Sequence, residues 1–264
     1  MAETAGAISV EDFIRQKKSG NRLVMITSYD AAFTAIINAA KAADLILVGD
    51  SLGMVIQGHT TTRAVRIEQM IYHTEIVART SPNIPVIGDM PFHTFDTPET
   101  ALSTARLLME AGAVGVKIEG NKPEVVRSLV THGIPVMGHL GLLPQTAENF
   151  KVQGKNAEDA ELMIHDAQEL QEAGAFSVVL ECIPRSLGAS ITAELDIPTI
   201  GIGAGPDCDG QVLVLHDMLG LTSGYLPKFV KKYADLEASV SKAMRDYAEE
   251  VRSGAFPSDE FSYH

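Results

Sequence analysis

Five short apolar runs in this chain run into polar side chains that could do chemistry. Leu45–Val48 is followed by Gly49-Asp50-Ser51, and Ile84–Ile87 by Gly88-Asp89-Met90-Pro91. Val114–Ile118 carries Lys117 and is followed by Glu119, Ile134–Met137 leads into Gly138-His139, and Ser177–Leu180 leads into Glu181-Cys182. Asp50, Asp89 and Glu119 are hard oxygen ligands. Three carboxylates brought together repel and raise one another's pKa unless a cation neutralises them. Mg²⁺ suits such a set, because it takes one or two carboxylates and fills its octahedron with waters or substrate oxygens. Zn²⁺ suits it less, since His139 is the nearby nitrogen and no cysteine pair assists. Mn²⁺ and Co²⁺ stay open, because oxygen ligands choose poorly among these ions. The competing reading of each Asp is a cap on the helix after its strand, and it weakens when the strand ends are taken together.

Lys117 and Glu119 are two apart on one strand and face the same side. They are either an ion pair inside the fold or a functional pair, with Lys117 meeting an anionic substrate and Glu119 supporting the cation's water. Glu181 sits between Val178-Val179-Leu180 and Cys182-Ile183-Pro184; an acid in apolar company has its pKa raised, as suits a general base or acid. His139 lies among small and apolar residues and reads as a hydrogen-bonded core histidine or a site residue. His59, His73, His93, His132, His165 and His264 have no partner spacing and read as surface or packing. Gly201-Ile202-Gly203-Ala204-Gly205 is weak evidence for a dinucleotide loop; its physical content is a close backbone approach to a ligand or a neighbouring loop. Cys182 and Cys208 suit neither a disulfide framework nor a metal knuckle, which points to a reducing compartment.

The elements that would hold these side chains alternate along the chain. Strand-like runs lie at Leu23–Thr27, Leu45–Val48, Ile84–Ile87, Val114–Ile118, Ile134–Met137, Ser177–Leu180, Pro198–Ile202 and Val212–Leu215. They are short and mostly Val/Ile-rich, as expected of strands buried on both faces. Helical spacing is clearest at Ala31–Ala43, Ile67–Arg79, Pro98–Ala111, Lys122–Thr131 and Ala157–Ala173, with Pro98 and Pro123 in first turns and Gly112, Gly133 and Gly174 as stops. Eight such alternations predict a (β/α)8 TIM barrel, an α/β fold whose chemistry sits where the strands end. The eighth run is ambiguous: Leu213, Leu215 and Leu219 could equally start a helix. One domain over 1–264 is expected, with 1–20 as an N-terminal extension, 236–264 as a C-terminal helix and tail, and no periodicity after Ser253.

A net charge of −13 argues against a nucleic-acid binder or a polybasic membrane-surface protein. The first 22 residues carry Glu3, Glu11 and Asp12 without a long apolar run, unlike a secretory or transit segment. No window approaches the roughly 20 apolar residues of a membrane span. A soluble, cytoplasmic protein is expected.

At these same residues the chain closely resembles the ketopantoate hydroxymethyltransferase family. The resemblance rests on Leu47-Val48-Gly49-Asp50-Ser51-Leu52-Gly53-Met54, Asp89-Met90-Pro91-Phe92, Val116-Lys117-Ile118-Glu119-Gly120, Gly138-His139-Leu140-Gly141-Leu142, Val179-Leu180-Glu181-Cys182, Ile200 to Gly205 and Pro227-Lys228-Phe229, in order and over nearly the whole chain. It implies a barrel related to the phosphoenolpyruvate/pyruvate-type metal barrels. It also implies transfer of a one-carbon unit from 5,10-methylenetetrahydrofolate to 3-methyl-2-oxobutanoate, giving 2-dehydropantoate and tetrahydrofolate, the first committed step of pantothenate synthesis. Asp50 and Asp89 match direct Mg²⁺ ligands that also meet the substrate, and Glu119 matches the acid completing the metal site. Ser51 and Lys117 match substrate contacts, Glu181 the proton acceptor, and His139 a histidine near the substrate. Cytoplasmic homo-oligomers, commonly decamers, are implied. The chain departs from the family pattern at Gly141-Leu142-Leu143-Pro144-Gln145, which lacks a threonine hydroxyl and has only Thr146–Phe150 before Lys151. That puts contacts from this loop to substrate or folate in doubt, but not the metal site. Two other readings remain at this point: another metal-enolate lyase or mutase on the same barrel, and a non-catalytic paralogue that binds a small acid.

Overall fold

The polar strand ends are collected on one side of a closed parallel barrel, in a computed structural model that describes residues 10–147, 151–224 and 226–263. Its strands are β1 (Leu23–Thr27), β2 (Leu45–Val48), β3 (Val86–Asp89), β4 (Gly115–Lys117), β5 (Val136–Gly141), β6 (Ser177–Glu181), β7 (Thr199–Ile202) and β8 (Gly210–Leu213). Each pairs with the next, and β8 pairs with β1 to close the ring. Leu23, Met25, Leu45, Leu47, Ile87, Met137, Val179, Ile200 and Val212 pack with Phe176 in one buried cluster. Side chains alternate along a strand, so the next inward position after Ile87 is Asp89, after Met137 is His139, and after Val179 is Glu181. The polar site is therefore the next layer of the barrel interior, one step beyond the apolar core.

Local chemistry explains the helices between the strands. Helix α1 (Val10–Ser19) precedes the barrel, so residues 1–9 of the expected extension lie outside the described residues. Asp30 caps α2 (Ala31–Ala40) by accepting from the Phe33 N–H, and Thr97 caps α5 (Pro98–Glu110), whose first position is a proline. Asn156 does the same for α7 (Ala157–Glu172). The remaining outer helices are α3 (Leu52–Val55), α4 (Ile67–Thr80), α6 (Pro123–Thr131) and α8 (Arg185–Glu194).

Beyond β1 and β2, every strand differs at an end from the sequence reading. The difference is one residue at an end for β4 (Gly115–Lys117 for Val114–Ile118), β6 (Ser177–Glu181 for Ser177–Leu180) and β7 (Thr199–Ile202 for Pro198–Ile202), and two or more for β3, β5 and the eighth run. β3 starts at Val86 rather than Ile84: Pro85 has no N–H for a ladder, and the Ile84 carbonyl is taken by the Ser81 hydroxyl at 2.7 Å. β5 runs on to Gly141, because its pairing with β6 continues through His139–Val179 to Gly141–Glu181. The ambiguous eighth run contains both alternatives, with β8 ending at Leu213 and helix α9 (Leu215–Met218) following it.

The chain divides into two compact units between Val214 and Leu215, and the barrel belongs to the first. The second unit holds α9 and α10 (Leu236–Ser253), the latter starting where the C-terminal helix is expected. Within it, the Tyr233 N–H donates to the Met218 carbonyl at 2.7 Å, and Phe256 packs against Tyr247 and Phe261. Among the described residues, no helix is long and apolar enough to cross a membrane.

Candidate active site

Asp89 and Lys117 are register partners on β3 and β4, and parallel neighbours in register point the same way. Lys117 Nζ lies 2.6 Å from Asp89 Oδ1, with both side chains buried. The lysine thus pairs across strands with Asp89, not along its own strand with Glu119. Asp50 lies in the turn after β2, where its backbone N–H donates to Asp89 Oδ2 at 3.3 Å. Ser51 follows at the start of α3, and its hydroxyl meets the Tyr29 hydroxyl at 2.7 Å.

Glu119 lies two residues past the end of β4, and His139 lies within β5. His139 Nδ1 is 3.5 Å from Glu119 Oε1, and its Nε2 is 3.2 Å from Glu181 Oε2. These are charge-pair distances. Neither ring nitrogen is ideally aligned with its carboxylate, yet both carboxylates favour the charged ring. Glu181 sits at the mouth with its side chain 15% exposed, beside an imidazole rather than in purely apolar company. Its backbone is held tightly. The Leu142 N–H donates to the Glu181 carbonyl at 2.9 Å, and a Cβ on Gly141 would fall 2.2 Å from that oxygen. Gly141 has φ +96, a conformation glycine adopts at low cost. Cys182, next in the chain, is held at φ +51 without being glycine, a local strain of the kind that gathers at functional sites.

Charge at this rim is out of balance. Burial, and then Asp89, push the Asp50 carboxyl up to about 8, although Lys117 opposes them. Burial also raises Asp89, against the pull of Lys117. For Lys117, burial favours the neutral amine, but Asp89, Glu119 and Asp50 outweigh it and hold the ammonium charged. Burial acts to raise Glu119, yet His139 and Lys117 bring it below its usual range. Burial and Lys117 act against a charged His139, but Glu119 and Glu181 overcome them and lift it to about 9. Glu119 Oε1 and Gln145 Oε1 are buried acceptors without an aligned donor. A buried surplus of carboxylate with unpartnered oxygens fits a hard divalent cation and its waters. The rim acids are not, however, among groups of three ligands lying within 4.8 Å of one another. Among the described residues that spacing occurs at His165, Asp166 and Glu169 on α7, where Asn121 already donates to both carboxylates.

All seven residues singled out from the sequence thus lie at the strand ends of one barrel: Asp50, Ser51, Asp89, Lys117, Glu119, His139 and Glu181. The sequence reading missed Gln145, Tyr29 and Arg63. Gln145 is buried among the acids, and Arg63 fastens its loop by donating to the Gln145 carbonyl at 2.8 Å and the Ala147 carbonyl at 3.1 Å. Tyr29 had one available signal, since it follows β1 as Asp50 follows β2. The loop flagged as departing from the family pattern therefore enters the site through Gln145, while residues 148–150 lie outside the described residues. The glycine-rich run serves the fold. A Cβ on Gly205 would lie 2.7 Å from Arg185 Cγ, and one on Gly188 would lie 2.5 Å from the Ala204 carbonyl oxygen, so β7 and its loop approach α8 closely.

Comparison with known proteins agrees with this geometry. The family model described as ketopantoate hydroxymethyltransferase matches residues 7–259. A 3-methyl-2-oxobutanoate hydroxymethyltransferase of Pelobacter propionicus is 49% identical over 271 residues, covering 100% of both chains. One of Nitratidesulfovibrio vulgaris is 51% identical over 257 residues, covering 95% of this chain and 83% of its own. Among solved structures, phosphonopyruvate hydrolase in complex with oxalate and Mg²⁺ superposes with TM-score 0.64 at 12% identity, covering 96% of this chain and 92% of that one. A 2,3-dimethylmalate lyase of the PEP mutase/isocitrate lyase superfamily superposes with TM-score 0.63 at 16% identity, covering 97% and 89%. The structural likenesses establish the barrel type, and the sequence matches establish that this chain belongs to the ketopantoate hydroxymethyltransferase family and is a hydroxymethyltransferase.

Proposed function

We propose that the chain transfers a hydroxymethyl group from 5,10-methylenetetrahydrofolate to 3-methyl-2-oxobutanoate, yielding 2-dehydropantoate and tetrahydrofolate. The reading places it at the first committed step of pantothenate and coenzyme A synthesis, as a cytoplasmic homo-oligomer, a decamer by family pattern. It treats the chain as a single barrel domain with residues 1–20 and 236–264 appended. One observation carries the reading. Among the described residues, four carboxylates at one rim, from Asp50, Asp89, Glu119 and Glu181, are met by two cationic side chains, Lys117 and His139.

Asp50 and Asp89 would hold Mg²⁺, with Glu119 completing the site. Bound there, the ion supplies a Lewis acid that stabilises negative charge developing on the 2-oxo group, typically by several kcal/mol. The protein's own groups do the rest. Glu181, at the mouth, accepts the proton from C3 of the oxo acid. His139 stays cationic and steadies the Glu181 carboxylate from 3.2 Å. Lys117 and the Ser51 hydroxyl receive the substrate carboxylate, with Tyr29 fixing the hydroxyl's direction. C3 then bonds to the folate methylene carbon, the methylene's two C–N bonds break, water supplies the hydroxyl, and the C3 proton and one proton of that water go to the two freed nitrogens, leaving tetrahydrofolate.

Tetrahydrofolate release tests this directly. With methylenetetrahydrofolate supplied, release should require 3-methyl-2-oxobutanoate, stop on EDTA and resume with added Mg²⁺. Release that ignores the chelator would remove the metal from the account.

A further inference from the structure

Gln145 makes more contacts with the rim acids than a loop residue needs. It is 1% exposed, although it comes from the turn after β5. Its Nε2 donates to Asp50 Oδ2 at 2.9 Å and to the Met90 carbonyl at 3.0 Å, which uses both amide hydrogens. Its backbone N–H donates to Glu119 Oε2 at 3.1 Å. One residue therefore ties together the segments after β2, β3 and β4. The Met90 carbonyl fixes the amide's orientation, because a turned amide would set Oε1 against it, acceptor against acceptor. Its orientation leaves Oε1 buried without an aligned donor, at the edge of an acidic site. Arg63 makes the loop itself firm by holding the Gln145 and Ala147 carbonyls.

We propose that Gln145 is a positioning residue for the cation site: its amide aims the Asp50 carboxylate, its main chain aims Glu119, and its Oε1 accepts a hydrogen bond from a water carried by the bound ion. The inference rests on the divalent-cation reading given above and extends it to a residue outside the proposed ligand set. Partners that orient a ligating carboxylate typically account for 10–100-fold in metal affinity. The side chain and main chain act separately, so a side-chain change should loosen Asp50 and spare the contact to Glu119.

The test is Mg²⁺ affinity by titration calorimetry on the full chain, with the Mn²⁺ electron paramagnetic resonance spectrum as a second readout. Melting in EDTA accompanies both. Gln145→Met keeps the volume and removes both donors. Gln145→Asn keeps an amide but stops one methylene short of Asp50, and it covers the case in which the first variant does not fold. Both should weaken Mg²⁺ binding about 10–100-fold and alter the bound Mn²⁺ spectrum. Unchanged affinity and spectrum, with only a lower melting point in EDTA, would make Gln145 a packing residue and overturn the proposal while leaving the cation reading intact. A wild-type chain that binds neither Mg²⁺ nor Mn²⁺, tested alongside Asp50→Asn, would sink both readings together.

Discussion

Lys117 Nζ and Asp89 Oδ1 meet at 2.6 Å between neighbouring strands, with side chains 5% and 2% exposed. A buried pair of this kind contributes little net stability, but breaking it on one side leaves a lone buried charge. The pairing also means that one acid offered to a cation is already shared with an ammonium. The site then has a lysine in place before substrate arrives.

Lys117→Met should destabilise the fold by about 3–5 kcal/mol and abolish turnover. The Asp89→Asn/Lys117→Met double variant should recover much of the stability but no activity. Urea unfolding checks the first statement, and a double variant no more stable than the single one would count against it.

Metal-free stability should fall as the pH rises. Asp50 is lifted from 3.8 to about 8 and His139 from 6.5 to about 9, so both hold protons more tightly folded than unfolded. Their stabilisation is complete below the unfolded values and is lost as pH climbs through about 8 and 9. In EDTA the melting temperature should drop by roughly a few degrees between neutral pH and pH 9, and Asp50→Asn should flatten part of that slope. A melting temperature that is level or rises over this range would contradict the charge imbalance described for the rim.

Gly141→Ala tests how the base is held. The positive φ alone costs an alanine on the order of 1–3 kcal/mol, and its Cβ would collide with the Glu181 carbonyl. We expect reduced stability together with a fall in kcat larger than the change in KM. Wild-type kinetics in a folded Gly141→Ala chain would show that Glu181 is not held from β5.

Tyr29→Phe removes only the hydroxyl that meets Ser51. A neutral hydrogen bond contributes about 0.5–1.5 kcal/mol, so KM for the oxo acid should rise severalfold with kcat nearly kept. An unchanged KM would separate Ser51 from substrate binding.

Much of this architecture is legible in the residues. Leu23–Thr27 and Leu45–Val48 are strands with the expected boundaries, because each is a bounded apolar run with no competing proline. The acids at 50, 89, 119 and 181 stand out because a carboxylate closing a buried run is expensive to desolvate unless a partner or a cation meets it. Helix α8 does not stand out, since Gly188 and the serines at 186 and 190 dilute its apolar stripe. Gln145 is beyond sequence reasoning for a different cause. Its partners, Asp50, Met90 and Glu119, are far away along the chain and meet it only through the closed strand order. The eighth run shows the limit of periodicity, where β8 and α9 lie too close together for spacing to separate them.

The most direct measurement of the central claim needs no folate. With 3-methyl-2-oxobutanoate and Mg²⁺ in deuterated water, the wild-type chain should replace the C3 hydrogen by deuterium, followed by NMR. EDTA should abolish the exchange, and Glu181→Ala should slow it by about 10²–10⁴-fold while still binding the oxo acid. Exchange that proceeds undiminished in EDTA, or in the Glu181 variant, would contradict an active site in which these acids gather a cation to make that carbon acidic.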